Sequence, residues 1–360
     1  MITRRAFLGG MAATGLVAAC SSGDDSSAPD PTELTVPRLS GYPFTLGVAS
    51  GDPTDDAVVL WTRLAPDALT PGGGMPGQDV PVRWQLATDD GFSSIVGEGT
   101  AVAMADAAHT VHVDATGLQP GAEFFYRFMV GDDESPVGRA ITMPGPGTVP
   151  DRFLLGQVSC AQWGDGFYAA YRDLAESGVD LVVCLGDYLY ERGPATRADG
   201  AVRRGQLVAE TLDDYRQLYA LYRSDEDLQA AHLAAPWAIV WDDHEASNDY
   251  VGDRPDVDSE SRTPEAFAER RAAAYRAWWE HMPVRFDPPT GGDLAIHRNL
   301  DVGRLARIHL LDTRQYRTPL ECPDSIGQIG PRCGTSTAPD TTFLGAEQEA
   351  WLAESLAGGD

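Results

Sequence analysis

The sequence has 360 residues, and its 54 acidic and 27 basic side chains give a formal net charge of −27. A surface this acidic repels the phosphates of nucleic acid, so we exclude nucleic acid as a stably bound partner. Without a leader and tether of about 35 residues the chain keeps roughly 325, which is enough for two domains.

The N-terminus carries the features of an export signal. Arg4 and Arg5 precede an apolar stretch that ends at Ala19, and this stretch is shorter than the ~20 residues that a membrane helix needs. Residues 1–19 are therefore predicted to be a twin-arginine signal peptide, so the twin-arginine export machinery is an expected partner. The location we expect is the periplasm or the cell surface.

The end of this stretch, Val17-Ala-Ala-Cys20, resembles the lipobox of bacterial lipoproteins. It predicts cleavage before Cys20 and a lipid anchor on that residue; the alternative is an ordinary signal peptide with an incidental cysteine. Residues 20–39 are polar and rich in Ser, Asp and Pro, which favours a disordered tether.

Residues 40–145 are predicted to form an all-β sandwich. Short apolar or alternating runs are separated by Gly- and Pro-rich turns, as in such folds. The runs are Ala57–Thr62, Val80–Leu86, His109–Asp114 and Glu123–Val130. The turn Gly117-Leu-Gln-Pro-Gly121 before an aromatic strand resembles fibronectin type III domains. His109 and His112 are expected on the exposed face of their strand and not at a metal.

After a Pro- and Gly-rich linker at 144–150, residues 150–360 alternate strands with helices. This order predicts an α/β domain with a largely parallel sheet covered by helices on both faces. The predicted strands are 153–158, 181–186, 238–241 and 306–311, and the predicted helical segments are 168–177, 208–233, 264–281 and 347–356.

Metal-capable side chains follow two of these strands. Asp187 and Tyr190 come after the strand at 181–186, and Asp242, Asp243 and His244 come after the strand at 238–241. Ligands bind outside the carboxyl ends of strands in open α/β sheets. Two such clusters favour a metal-assisted hydrolase, in which Asp187 bridges two cations, Asp243 is a second ligand, and His244 is either a ligand or a proton donor.

Other strand-end residues have more than one interpretation. Cys160 directly follows the strand at 153–158, and a thiolate or the phenolate of Tyr190 needs a strongly polarising cation such as ferric iron. A lone cysteine there is usually structural, but its place beside Asp187 favours a ligand. Asp242 and Glu245 are expected to orient the neighbouring groups.

Several blocks resemble the PhoD-like (alkaline phosphatase D) metallophosphatase family. They are Ser159-Cys160, Leu185-Gly-Asp-Tyr-Leu-Tyr-Glu191, Trp241-Asp-Asp-His-Glu245 with Asn248-Asp-Tyr250, Ala274–Pro283 and Leu311-Asp-Thr-Arg-Gln-Tyr316. The resemblance implies a β-sandwich followed by a calcineurin-like metallophosphoesterase domain. It also implies hydrolysis of small phosphate monoesters or diesters. Nucleic acid is expected to bind only as a possible diester substrate.

The resemblance implies a centre of Fe³⁺ and Ca²⁺. Cys160, Asp187 and Tyr190 correspond to iron ligands, and Asp187 and Asp243 correspond to ligands of the second metal, with Asn248 as a further ligand. His244, Asp243 and Arg314 are the catalytic candidates, although Arg314 could equally form a structural ion pair.

Further ligands of the family come from a strand beyond this region, so the metallophosphatase domain is expected to be incomplete at its C-terminus and this chain inactive on its own. The alternatives are a phosphodiesterase or phospholipase D-like hydrolase, and a non-catalytic metal-binding surface lipoprotein. Cys322 and Cys333 lie in a loop-like segment and are expected to form a disulfide, with two free thiols as the alternative.

Overall fold

The computed structural model describes residues 31–192, 207–255, 263–319 and 341–358. The predicted signal peptide, the lipobox cysteine Cys20, part of the tether, and Cys322 and Cys333 lie outside these ranges. None of the described helices has the length and apolar character that crossing a bilayer requires.

The first eight strands belong to the N-terminal half of the chain. They are Val48–Gly51 (β1), Ala57–Arg63 (β2), Val80–Ala87 (β3), Ile95–Ala103 (β4), Thr110–Thr116 (β5), Glu123–Val130 (β6), Asp133–Glu134 (β7) and Gly138–Ile141 (β8). The four runs predicted from the sequence correspond to β2, β3, β5 and β6. Strands β1, β4, β7 and β8 were not predicted, because the small residues and short lengths of these segments hide the two-residue period.

Ten α-helices and strands follow in the described part of the C-terminal half. They are Leu155–Val158 (β9), Ala169–Glu176 (α1), Leu181–Leu185 (β10), Leu212–Arg223 (α2), Glu226–Ala234 (α3), Trp237–Val240 (β11), Pro264–His281 (α4), Arg298–Val302 (β12), Ala306–Leu310 (β13) and Ala346–Ala357 (α5). The predicted helix at 208–233 is two helices, because Asp225 adopts an extended conformation and caps α3 through the amides of Asp227 and Leu228.

One six-stranded sheet joins the two halves, with strand order β5-β2-β1-β11-β10-β9. Strands β9, β10 and β11 are parallel, and β11 is also parallel to β1 through the pairing of Trp237 with Gly51. A Cβ atom on Gly51 would lie 2.2 Å from the carbonyl oxygen of Pro283, so only glycine fits at this junction. The carboxyl ends of β9, β10 and β11 therefore share one edge.

A second sheet of five strands runs β4-β3-β6-β7, with β8 also paired to β6. It packs against β1, β2 and β5 through one apolar core, whose members include Val48, Val58, Leu60, Val82, Leu86, Val113, Phe124 and Phe128. The N-terminal strands thus form two layers. Outside this core, His109 is buried rather than exposed, and His112 stacks on Trp279 of α4 at 4.6 Å because that helix covers the sheet.

Strand β13 departs from the prediction of a parallel sheet. It pairs antiparallel with β12 in a separate two-stranded sheet, with Arg298 opposite Leu310 and Val302 opposite Ala306. The turn between Val302 and Ala306 is short enough for a hairpin, and the hairpin partner β12 was missed because Arg298-Asn299 and Asp301 interrupt its apolar pattern.

Helix α4 begins as the sequence predicts. Thr263 accepts a hydrogen bond from the amide of Ala266 at 3.2 Å, and Pro264 occupies the first turn. The buried face of α4 packs on α2 and on the end of β11, where Trp241 stacks on Tyr275 with ring centroids 4.1 Å apart. This aromatic packing holds the chain that leaves β11 against the sheet edge.

Candidate metal centre

The candidate site lies where β9, β10 and β11 end. Cys160 follows β9, Asp187 follows β10, and Asp242 and Asp243 follow β11. Gly186 permits the close approach of the last two loops, because its φ is +90° and a Cβ atom there would lie 2.2 Å from the backbone nitrogen of Asp242. A side chain at position 186 would push Asp187 away from the Asp242-Asp243 pair.

Three carboxylates meet at this edge. One oxygen of each of Asp187, Asp242 and Asp243 lies within 4.8 Å of the others. Burial raises the pKa of Asp187, and the charge of Asp242 adds to this. Burial also raises the pKa of Asp243 to about 6. The guanidinium of Arg314 pairs with two of these carboxylates, and carboxylate oxygens are also ligands that hard cations accept.

Asp187 is also the point at which a thiol and a phenol converge. Its Oδ2 lies 3.6 Å from Cys160 Sγ and 3.2 Å from the Tyr190 hydroxyl. Cys160 and Asp187 have φ values of 56° and 53°, an uncommon left-handed conformation that turns both side chains toward this point. Burial raises the pKa of Tyr190, and the neighbouring Asp187 raises it further.

The buried carboxylate of Glu245 connects the two loops. It accepts hydrogen bonds from the backbone amides of Asp187 at 3.0 Å, Tyr188 at 2.6 Å and Asp242 at 2.9 Å. Burial and the charge of Asp187 raise its pKa to about 8, although the three amides oppose the shift. The prediction that Glu245 orients its neighbours matches this geometry.

His244 is held by a second buried carboxylate. Its Nδ1 lies 2.8 Å from Oε2 of Glu191, and its ring contacts that of Tyr190 at an interplanar angle of 32°, with centroids 4.0 Å apart. Burial lowers the pKa of His244, but the hydrogen bond and charge of Glu191 outweigh burial and raise it overall. With Nδ1 bound to Glu191, Nε2 is the nitrogen left for chemistry.

Glu191 also fixes the next turn. It accepts the backbone amide of Asn248 at 2.7 Å, while the side-chain amide of Asn248 donates to Asp249 at 3.2 Å. The amide of Asp249 donates to Asp243 Oδ2 at 2.6 Å. Asn248 therefore lies on the loop that carries Asp243, and its side-chain amide donates to Asp249.

Arg314 forms an ion pair with Asp242 and Asp243, which was one of the two roles predicted for it. Its Nη2 lies 3.2 Å from Asp242 Oδ2 and 2.9 Å from Asp243 Oδ1. Burial opposes its charge, but the two carboxylates raise its pKa overall. Asp312 holds the Arg314 amide at 2.9 Å, and Gln348 of α5 holds the backbone of Asp312. Arg314 thus supplies positive charge at the side of the carboxylates.

The structure brings together nearly all of the residues singled out from the sequence. The structure adds Asp242 to the residues that could hold a metal ion, whereas the sequence suggested an orienting role for it. The strand ends at Val240, and the turn that follows lets both carboxylates face Asp187. The position of Asp242 and Asp243 after the last residue of the strand was the feature of the sequence that indicated this arrangement.

The donor set fits a metal centre. The carboxylates of Asp187, Asp242 and Asp243 and the phenol of Tyr190 offer hard oxygen ligands. The thiol of Cys160, once ionised, offers a softer sulfur ligand of the kind that transition metals accept.

Comparison with known proteins gives consistent matches. Residues 153–360 match the family model of the PhoD-like phosphatase, and residues 29–144 match that of the PhoD-like phosphatase N-terminal domain. Alkaline phosphatase D of Bacillus subtilis (strain 168) is 47% identical over 326 residues, which cover 89% of this chain and 54% of that protein. A solved structure of PhoD is 47% identical with a TM-score of 0.84, over 90% of this chain and 61% of the other. The chain thus spans a little over half the length of these relatives.

Proposed function

The chain belongs to the PhoD-like phosphatase family, and on this premise we propose that the whole protein hydrolyses phosphate esters at the strand-end centre. The observation that carries the proposal is the convergence on Asp187. Donors from three strand ends meet there: Cys160 after β9, Tyr190 after β10, and Asp242 and Asp243 after β11. A binding protein for a simple divalent cation has no need of a thiol and a phenol.

In this proposal Cys160, Asp187 and Tyr190 hold Fe³⁺, while Asp187, Asp242 and Asp243 hold Ca²⁺ with Asn248 nearby. When bound, such cations would lower the pKa of water so that hydroxide, the attacking nucleophile, forms near neutral pH, and they would stabilise the charge on the phosphoryl oxygens. Glu245 keeps the loops of Asp187 and Asp242 at a fixed separation through its three amide contacts.

His244 is proposed to give a proton to the departing alcohol oxygen. Glu191 binds Nδ1 at 2.8 Å and so orients the ring, which leaves Nε2 to face the ester. Arg314 balances the charge of Asp242 and Asp243 and is free to shift toward a substrate phosphate once cations take over that role. Both monoesters and diesters are compatible with these roles.

The test is metal analysis of the full-length protein combined with assays on a monoester and a bis-ester of p-nitrophenol. Iron and calcium in the purified protein, with a visible tyrosinate-to-iron absorption band and turnover of either ester, support the proposal. Turnover of the bis-ester alone identifies a phosphodiesterase or phospholipase D-like enzyme. Calcium without iron and without turnover identifies a non-catalytic metal-binding lipoprotein.

We also propose a fold type for each of the two domains. Residues 40–145 are assigned to a fibronectin type III-like sandwich, which the two-layered core and the positive φ values of Gly117 and Gly121 around its turn support. Residues 150–360 are assigned to a calcineurin-like domain, supported by the parallel strands β9, β10 and β11. Proteolysis should cut first in the linker at 144–150 if the boundary is correct.

Export and anchoring rest on the sequence of residues 1–20. We propose that the twin-arginine machinery exports the protein and that Cys20 carries the lipid anchor. Arg4→Lys with Arg5→Lys should keep the protein in the cytoplasm. Cys20→Ala should release the exported protein from the membrane fraction and abolish incorporation of labelled fatty acid. Export and membrane attachment that survive these changes would contradict the assignment.

A further inference from the structure

Arg223 is a buried cation at the junction of the two halves of the chain. It is the last residue of α2 and has no exposed surface, and its guanidinium carbon lies 4.0 Å from the ring centroid of Trp61 on β2. Burial lowers the pKa of this guanidinium, but an arginine stays protonated in proteins. A full positive charge is therefore held in the interior, where an ion without compensation is strongly unfavourable.

The guanidinium lacks the acceptors that its N–H groups require. None of its three nitrogen atoms has a hydrogen bond of normal geometry within the described part of the chain, although an arginine carries five N–H donors. Its charge acts on the phenols of Tyr188 and Tyr126, and burial raises the pKa of both hydroxyls, so both are neutral. The ring of Trp61 attracts the charge but accepts none of these hydrogen bonds. A buried group of this kind requires a bound acceptor.

Tyr126 on β6 adds a second donor without an acceptor. Its hydroxyl is buried and makes no hydrogen bond of normal geometry to the residues that the structure describes. The neighbouring hydroxyl of Ser50 donates to the carbonyl of Arg139 at 3.0 Å. Donors from α2 and from the N-terminal sheets therefore surround one positive charge. Such an excess of N–H and O–H donors is the chemistry of an anion site.

Tyr188 does not supply the missing negative charge. Its hydroxyl lies 3.0 Å from Nε2 of His232, and burial and the charge of Arg223 lower the pKa of that histidine, so the imidazole is neutral. The phenol can give its proton to Nε2, which leaves its oxygen as a weak acceptor for the guanidinium. A neutral phenol or a water molecule accepts a hydrogen bond but leaves the charge in place, whereas an anion removes both deficits.

We propose that a small monovalent anion of the halide class, such as chloride, binds at the edge of the Arg223 guanidinium and also accepts the Tyr126 hydroxyl. One positive charge calls for one negative charge, and a monovalent ion costs less to dehydrate than a phosphate. Because Arg223 belongs to the α/β half and Tyr126 to the N-terminal half, the anion stabilises the contact between them. This site is separate from the candidate metal centre, and the proposal does not depend on the proposed function.

The direct test is anomalous diffraction from crystals of the full-length wild-type protein soaked in sodium bromide. Bromide exchanges with chloride and gives an anomalous signal that water does not give. We expect a peak in contact with the Arg223 guanidinium and the Tyr126 hydroxyl. Density at this position without an anomalous signal would identify water and overturn the proposal, as would bromide peaks at other places only.

A solution test measures whether chloride stabilises the folded protein. Urea unfolding is compared at about 20 and about 200 mM chloride, and gluconate keeps the sodium concentration constant because the net charge of −27 makes stability sensitive to cations. An anion that binds only the folded state should lower the unfolding equilibrium constant by up to about tenfold over this range. No chloride dependence in the wild type would overturn the proposal.

Variants assign the chloride effect to this site. Arg223→Met removes the charge and keeps an unbranched apolar side chain, so its unfolding should no longer depend on chloride. Arg83→Met, on the exposed side of β3, is the matched control and should keep the wild-type dependence. If Arg223→Met does not fold, Tyr126→Phe removes a single hydroxyl and should reduce both the chloride effect and the bromide occupancy. An undiminished chloride effect in Arg223→Met or in Tyr126→Phe would overturn the proposal.

Discussion

The carboxylate of Glu245 accepts the backbone amide of Asp187 at 3.0 Å, so a fully buried acid supports the residue at the middle of the site. Two further amides, from Tyr188 and Asp242, bind the same carboxylate. Glu245 is thus the structural support of both strand-end loops, and the site depends on a side chain that is itself shielded from solvent.

Glu245→Gln should destabilise the protein. The amide group of glutamine places two N–H donors among backbone N–H donors, so at least one buried amide loses its acceptor, at about 1–3 kcal/mol. We expect a lower urea midpoint with an unchanged slope and reduced metal content. Glu354→Gln, on the exposed side of α5, is the matched control and should have the wild-type midpoint. An unchanged midpoint for Glu245→Gln would show that the three amides find other partners.

Asp187→Ala should abolish phosphatase activity in the full-length protein and leave the fold intact. It removes the carboxylate on which Cys160, Tyr190 and the other two aspartates converge. Activity above a tenth of the wild-type kcat, a barrier change below ~1.4 kcal/mol, would exclude Asp187 from the centre. Circular dichroism checks the fold, and Asp173→Ala on the exposed face of α1 should retain full activity.

Tyr190→Phe separates metal chemistry from packing. The ring and its contact with the His244 ring remain, and only the hydroxyl that lies 3.2 Å from Asp187 is lost. If Tyr190 binds iron, the visible charge-transfer band should disappear and the iron content should fall. Tyr42→Phe, which loses a hydroxyl at the surface, serves as the control. Full colour and full activity in Tyr190→Phe would make the residue structural.

His244→Asn should affect poor leaving groups more than good ones. An alkoxide needs a proton as it departs, whereas p-nitrophenolate is stable without one, and general acids contribute about 10²- to 10⁴-fold. We therefore expect a loss of more than a hundredfold in kcat for glycerol phosphate and less than about tenfold for p-nitrophenyl phosphate. Equal losses for the two esters would assign His244 to metal binding or to structure instead of proton donation.

Acid should destabilise the protein through His281. This fully buried histidine accepts a hydrogen bond from Arg63 at 2.7 Å and donates through Nδ1 to the carbonyl of Ala277, so its ring is neutral. Burial and the charge of Arg63 place its pKa well below the usual value. Since the unfolded chain binds the proton more tightly, stability is lost as pH falls below about 6.5, by at most ~1.4 kcal/mol per pH unit.

The check for this prediction is urea unfolding between pH 7 and pH 5. His281→Gln keeps an acceptor for Arg63 but takes up no proton, so its stability should depend less on pH than that of the wild type. His309→Gln, on β13, is the control and should follow the wild-type curve. Parallel curves for the wild type and His281→Gln would show that the histidine does not contribute to the acid sensitivity.

Much of the architecture follows from local sequence. The ends of α4 were predictable because Thr263 and Pro264 mark the start and an apolar pattern continues to His281. Strands β10 and β11 were predictable from uninterrupted apolar runs. The pairing of β13 was not, because a strand's apolar pattern does not specify which neighbour it hydrogen-bonds; the partner β12 carries charges that conceal it.

The sequence predicted which residues form the candidate site better than it predicted which of them contact one another. The alternation of strand and helix in the sequence predicted that Cys160, Asp187 and Asp243 lie at one sheet edge. What the sequence could not supply was the backbone conformation after each strand. The positive φ values of Cys160 and Asp187 and the turn after Val240 decide which side chains meet, and these depend on tertiary contacts such as that of Gly186 with Asp242.

The parallel pairing of β1 with β11 joins the two halves of the chain in one sheet. Strand β11, which ends shortly before Asp242 and Asp243, has β10 on one side and Gly51 of β1 on the other. If the first 145 residues detached, the unpaired amides and carbonyls of β11 would face water, and the turn after Val240 would lose a rigid neighbour. The N-terminal half is therefore a structural part of the candidate site, because it forms the side of the sheet beside which the loops of Asp187 and Asp242 are aligned.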